Sequence, residues 1–173
     1  MSRDEAAIAH HEAGHAVAAV TFRRSIVRVS IEPDQHGRGR LDQRPQRFDV
    51  PAHGEVPAWT RRAVNADIVV AWAGPLSEER VAGSYDHETA EHDLDRMFDA
   101  AMVVTAGFAQ EALAYVEWLR WRTVRFLQEP ALWSQVEAVA TALVERRSLA
   151  AADVRQAMSA AGRRPSGRID HIS

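Results

Sequence analysis

Residues 9–20, AHHEAGHAVAAV, constrain the fold more tightly than any other stretch. Alanine and valine fill most of its positions, and on a helical period Ile8, His11, His15, Ala19 and Phe22 share one face. The helix predicted over 2–24 is small or apolar on nearly every side, so it belongs in a core. Ser2 and Glu5 have capping-box spacing, Asp4 and Glu5 suit the positive end of the helix, and Arg23 and Arg24 mark its far end. Burying this helix is costly unless the polar side chains in its middle find partners. A helix-interior glycine costs about 1 kcal/mol relative to alanine. Gly14 therefore points to close approach of another segment or of a substrate.

The spacing of those polar residues has its own chemistry. His11 and His15 lie one turn apart on one side of a helix, so both imidazoles can reach a single metal ion. Glu12 follows the first histidine directly, close enough to reach a metal-bound water but poorly placed to ligate. This is the H-E-x-x-H arrangement, in which two imidazoles hold zinc, the bound water becomes more acidic and the glutamate takes its proton. With 8 histidines in the chain, random placement produces the pattern in only about three per cent of cases. His10 lies about 100° round the helix and lacks a partner four residues on, where Gly14 stands, so it reads as a surface or supporting histidine.

A catalytic zinc takes three protein ligands and keeps one open position. The chain has no cysteine, so histidine and carboxylates must supply them. Alanine at positions 18 and 19 excludes the usual nearby continuations. The densest distant source is YDHETAEHDLDRMFDAAM, which offers Asp86, His87, Glu88, Glu91, His92, Asp93 and Asp95. Spacing alone does not choose among them.

The 173 residues suit one domain over 1–162 followed by a solvated tail, 163–173. Residues 26–32, IVRVSIE, alternate as a half-buried strand, and RLDQRP can return as a second after the DQHGRGR turn. Residues 48–57 form a proline-punctuated loop. Helices are predicted over 58–82, with a kink or break at Gly74 and Pro75, and near 89–106, 109–127, 130–147 and 151–160. The fold class is mainly α with a small β-sheet or hairpin. In 115–127, Trp118 and Trp121 alternate with Arg120, Arg122 and Arg125. A partner, membrane or nucleic-acid surface is one reading, and a helix that buries its aromatic face and solvates its arginines is the expected one.

All 21 basic residues are arginine, so a phosphate-binding loop of the G-x-x-x-x-G-K-[ST] type is excluded. The net charge of −3 gives no general attraction to nucleic acid. The longest apolar runs, such as ADIVVAWAG, fall short of the roughly 20 residues of a membrane span. The charged, histidine-rich N-terminal stretch is unlike a secretory signal. A cytoplasmic protein with no membrane span is expected.

AHHEAGHAVAAV, VRVSIEP, AGPLSEERVAG, AEHDLDRMFDAAMVV and ALVERRSLAAADVRQAM follow one another as the blocks of the FtsH-type zinc protease peptidase domain do. The resemblance covers most of residues 5–158 and implies a zincin-like peptidase fold with one zinc ion per chain. It implies His11, His15 and Asp93 as metal ligands and Glu12 as general base. His92 stands where the family has asparagine, which makes it an alternative ligand. Glu78 matches a glutamate near the metal, so it either orients a ligand histidine or pairs with Arg80 at the surface. Pro75 replaces the family's usual arginine. The resemblance also places the strands of 27–44 beside the substrate groove, where QHGRGRLDQR would lie along a bound polypeptide. FtsH-type proteases join this domain to an ATPase and a membrane anchor, and neither is recognisable here. A metallopeptidase of unfolded or flexible proteins is expected, free-standing, fed by a separate ATPase, or a homo-oligomer. The rival reading is a zinc- or peptide-binding regulatory or adaptor module without turnover.

Overall fold

The computed structural model describes residues 3–32, 40–43 and 55–162. Within them the order is α1 (Arg3–Thr21), β1 (Ile26–Ser30), β2 (Arg40–Gln43), α2 (Ala58–Ala82), α3 (His87–Val104), α4 (Ala109–Gln128), α5 (Pro130–Arg146), β3 (Ser148–Ala150) and α6 (Ala151–Ala161). The protein is mainly helical with one small antiparallel sheet, as composition and periodicity lead one to expect. Ser2, the 33–39 turn, residues 44–54 and the 163–173 segment lie outside the described residues.

Every residue of α1 from His11 to Ala19 is buried, chiefly against α2 and α5. The close approach expected at Gly14 is present. A Cβ added there would stand 2.2 Å from the Ala73 carbonyl oxygen and 2.4 Å from Ser77 Oγ, so α1 and α2 cross nearly backbone to backbone. Alanines on both helices make that crossing possible, and Val17, Ile68, Met97, Val136, Val139 and Leu143 close the core around it.

Helix α2 runs from Ala58 to Ala82 without a break, although Pro75 stands inside it. Packing on both sides of the Gly74–Pro75 step overrides the local tendency to end the helix there. The helix stops at Gly83, whose φ of 86° is left-handed and lets its N–H return to the Glu79 carbonyl.

The sheet has the order β2-β1-β3, so β1 is central. Strand β3, pairing Arg28 with Ala150 and Val29 with Leu149, has no counterpart in the sequence reading. Its three residues are too few for a period to show. The alternation expected of β1 is also incomplete. The register with β2 slips between Ile26 and Arg28, which leaves Val27 exposed, while Ser30 and Ile31 are both buried. A bulge and a central position explain both departures. Ser30 is satisfied there, its hydroxyl donating to the Arg147 carbonyl and accepting from the Glu32 N–H.

The reading of α4 as a helix that buries its aromatic face needs correction. Trp118 and Trp121 are 47% and 58% exposed, and the face turned inward carries Ala112, Leu119, Thr123 and Leu127. Arg122 lies over the Trp118 ring at 5.1 Å and Arg120 over Trp121 at 5.3 Å, so arginines cover the indoles in place of a core. Among the described residues no helix is long and apolar enough to cross a membrane.

Candidate metal centre

The middle of α1 delivers His11 and His15 to one point, and the second turn of α3 delivers Asp93 to the same point. His11 Nε2 and His15 Nε2 are 3.1 Å apart. Asp93 Oδ2 lies 3.7 Å from the first and 3.2 Å from the second. These three side chains form a group that can hold a metal ion. His11 and Glu12 are each 4% exposed and His15 6%, so the α1 side of the site is sealed from solvent.

Both imidazoles are oriented from behind. His11 Nδ1 donates to Glu78 Oε2 at 2.8 Å, and His15 Nδ1 donates to the Val70 carbonyl at 2.7 Å, both acceptors lying on α2. With each Nδ1 carrying a proton, a neutral ring turns the lone pair of its Nε2 toward the other Nε2 and toward Asp93. Lone pairs and a carboxylate facing one another in a buried space repel unless a cation lies among them, which is the donor chemistry of a metal site.

The electrostatics agree. Burial alone would push the His11 imidazole down. Hydrogen bonds with Asp93 and Glu78 and the charges of Glu12 and Asp93 outweigh burial and raise it from 6.5 to about 10. Burial would raise the Asp93 carboxyl, yet the charge of His15, hydrogen bonds from both histidines and the charge of His11 hold it well below the usual carboxylate range. The cluster favours positive charge at its centre.

Glu78 is buried and makes two contacts. Besides His11, its Oε1 accepts the Asp86 N–H at 3.2 Å, which ties the ring to the turn that leads into α3. Arg80, the other partner considered for Glu78, instead donates to the Leu127 carbonyl and lies 3.9 Å over the Trp133 ring. His10 stays away from the centre, with Nδ1 2.8 Å from the Ala6 carbonyl oxygen and its ring stacked on Trp133. The side chain of His92 lies outside the described residues.

Two contributors were missed in the sequence. The Val70 carbonyl has no signature, because any residue supplies one. Gly74 lies against the His15 ring. A Cβ there would fall 2.2 Å from Nε2, 2.5 Å from Cε1 and 2.6 Å from Cδ2. Its only signal was its place beside proline in an apolar run, which reads as a helix interruption. No protein-family model and no curated protein matches the chain.

Proposed function

We propose that the protein is a zinc-dependent metallopeptidase that hydrolyses peptide bonds of unfolded or flexible polypeptides, with a zincin-like fold of the FtsH peptidase type. The observation that carries the reading is the convergence of His11 Nε2, His15 Nε2 and Asp93 Oδ2 within one helical turn of the buried Glu12. Donors bonded at about 2.0 Å to a tetrahedral ion stand about 3.3 Å apart. Six-coordinate bonds of about 2.1 Å would draw neighbouring donors to about 3.0 Å. The separations of 3.1, 3.2 and 3.7 Å are of the size that one small cation spans, and two imidazoles with one carboxylate are a donor set that suits zinc.

His11, His15 and Asp93 would hold the zinc ion, which when bound would supply Lewis acidity toward the scissile carbonyl and water. Glu78 and the Val70 carbonyl keep the two imidazoles in the tautomer that presents Nε2. Glu12 accepts a proton from the attacking water as the water oxygen bonds to the carbonyl carbon. It then gives that proton to the amide nitrogen as the C–N bond breaks, leaving a carboxyl and an amine. Among the described residues β2 is an edge strand, and its outer edge would offer backbone groups for an extended substrate.

The test is incubation of purified protein carrying about one zinc per chain with casein as an unfolded substrate. Cleavage that disappears in Glu12→Gln while zinc remains supports the reading. A zinc-loaded protein that leaves casein intact overturns the peptidase and leaves the binding module.

A further inference from the structure

Helix α2 breaks two local rules at one step. It carries a glycine and then a proline near its centre, and both are fully inside the protein. Neither residue favours a helix interior: glycine is conformationally loose, and proline removes the N–H that would serve the Ala71 carbonyl. Such departures are concentrated at functional sites, where another requirement overrides helix stability.

The neighbour of this step is His15. The imidazole lies against the Gly74 backbone so closely that any Cβ would fall 2.2 Å from Nε2, well inside contact distance. The three atoms nearest to that position all belong to the His15 ring, so the imidazole occupies the space left by the missing side chain. One turn earlier on the same helix, the Val70 carbonyl receives Nδ1–H at 2.7 Å. A carbonyl oxygen has two lone pairs, so a helical acceptor such as Val70 can also receive a side chain from a neighbouring helix.

The geometry points to Gly74 as a positioning residue for His15: its missing side chain makes room for the imidazole against α2, where the Val70 carbonyl one turn earlier holds Nδ1–H. The consequence is a ring locked in one orientation and one tautomer, with Nε2 toward His11 and Asp93. This inference rests on the metal-site reading for its importance, but the placement of His15 can be measured without any metal.

The experiment uses the full chain as wild type, Gly74→Ala and Pro75→Ala. Each protein is stripped with a chelator, and its histidine tautomers are read from ¹⁵N–¹H spectra. Zinc affinity is then measured by competition with a chromophoric chelator. Wild type should show His15 as the Nδ1–H tautomer. Gly74→Ala should lose that signature and bind zinc about 100-fold more weakly. Pro75→Ala leaves residue 74 as glycine and restores a helical donor, so as the control it should melt at a higher temperature with His15 signals and zinc affinity unchanged. A folded Gly74→Ala with unchanged His15 signals and zinc affinity within twofold of wild type overturns the inference. If Gly74→Ala does not fold, the double variant His15→Ala/Gly74→Ala, which removes the ring that the new methyl group meets, should recover folding, and a double variant that stays unfolded overturns the inference. If wild type binds no zinc, the metal reading fails, and the tautomer spectra alone decide the role of Gly74.

Discussion

Two polar clusters anchor α1 to its neighbours, and their charge balance differs. At the foot of the helix, Arg24 Nη2 meets Asp67 Oδ1 at 2.7 Å and also donates to the Ala63 carbonyl. Arg24 is the cation in contact with this anion and Arg96 adds a second positive charge, yet burial pushes the Asp67 carboxyl up. In the middle of α1, Glu12, Glu78 and Asp93 surround two histidines whose Nδ1 atoms are already committed. The first cluster closes on itself, whereas the second is completed by a cation. A buried pair with matched charge ties helices together, while a buried set with excess acceptors implies a ligand.

The strongest way to sharpen this contrast is to separate holding from turnover. Glu12→Gln should lower peptide cleavage by about 1,000-fold while leaving zinc content unchanged. Asp93→Ala should lose zinc and cleavage together. Metal analysis beside a cleavage assay distinguishes the two, and equal zinc affinity in Asp93→Ala and wild type would remove Asp93 as a ligand.

Chelation should come next in size. Zinc at a thousandfold excess over its dissociation constant stabilises the folded state by about 4 kcal/mol, so stripping it should lower the melting temperature by about 10 °C. Denaturant midpoints against pH, with and without chelator, then test the charge of the cluster. In stripped protein the raised His11 contributes stability that is complete below pH 6.5 and fades as pH rises toward about 10. The depressed Asp93 contributes stability that is complete above 3.8 and is lost as pH falls through its lowered value. Stability from this cluster should therefore peak between those limits. Bound zinc replaces the His11 proton and should abolish the alkaline decline.

Breaking the balanced cluster should have a smaller and purely structural effect. Arg24→Met removes the cation in contact with Asp67 and should cost about 2 kcal/mol, discounted for the residual exposure of both groups. Zinc affinity should not move. Glu78→Gln should be smaller still, weakening zinc about tenfold with little change in the melting of stripped protein. A Glu78→Gln protein that binds zinc like wild type would reduce its carboxylate to a helix-to-turn tie through Asp86.

His11, Glu12 and His15 could be read from sequence because their relation is local: four residues on a helix fix which side chains meet. Asp93 could not be read that way. Seven residues between 86 and 95 offered the same chemistry, and only the resemblance selected one. The structure brings Asp93 into the described cluster because the start of α3 is carried there by the turn that Glu78 holds. Gly74 and the Val70 carbonyl act through the crossing of α1 with α2, a tertiary relation that no periodicity encodes. The indoles of α4 were misjudged for a related reason. Helical spacing groups residues on a face but does not say which face turns inward, and smaller residues took the buried side. Helix α2 shows the reverse case, in which local signals for a break were outweighed by packing.

The contacts of α1 also bear on the order in which the molecule can be made. The Ile31 N–H and the Ser30 hydroxyl both reach the Arg147 carbonyl, the latter across 117 positions, and Arg147 pairs with Glu5 across 142. On a ribosome, the segment bearing His11 and His15 emerges before α5 and β3, against which α1 and β1 pack. Such long-range closure is slow, and an early α1 with its apolar sides bare is exposed to aggregation in the meantime. A nascent chain therefore has every residue of the metal centre by Asp93, while the burial of α1 around it waits on residues beyond 130.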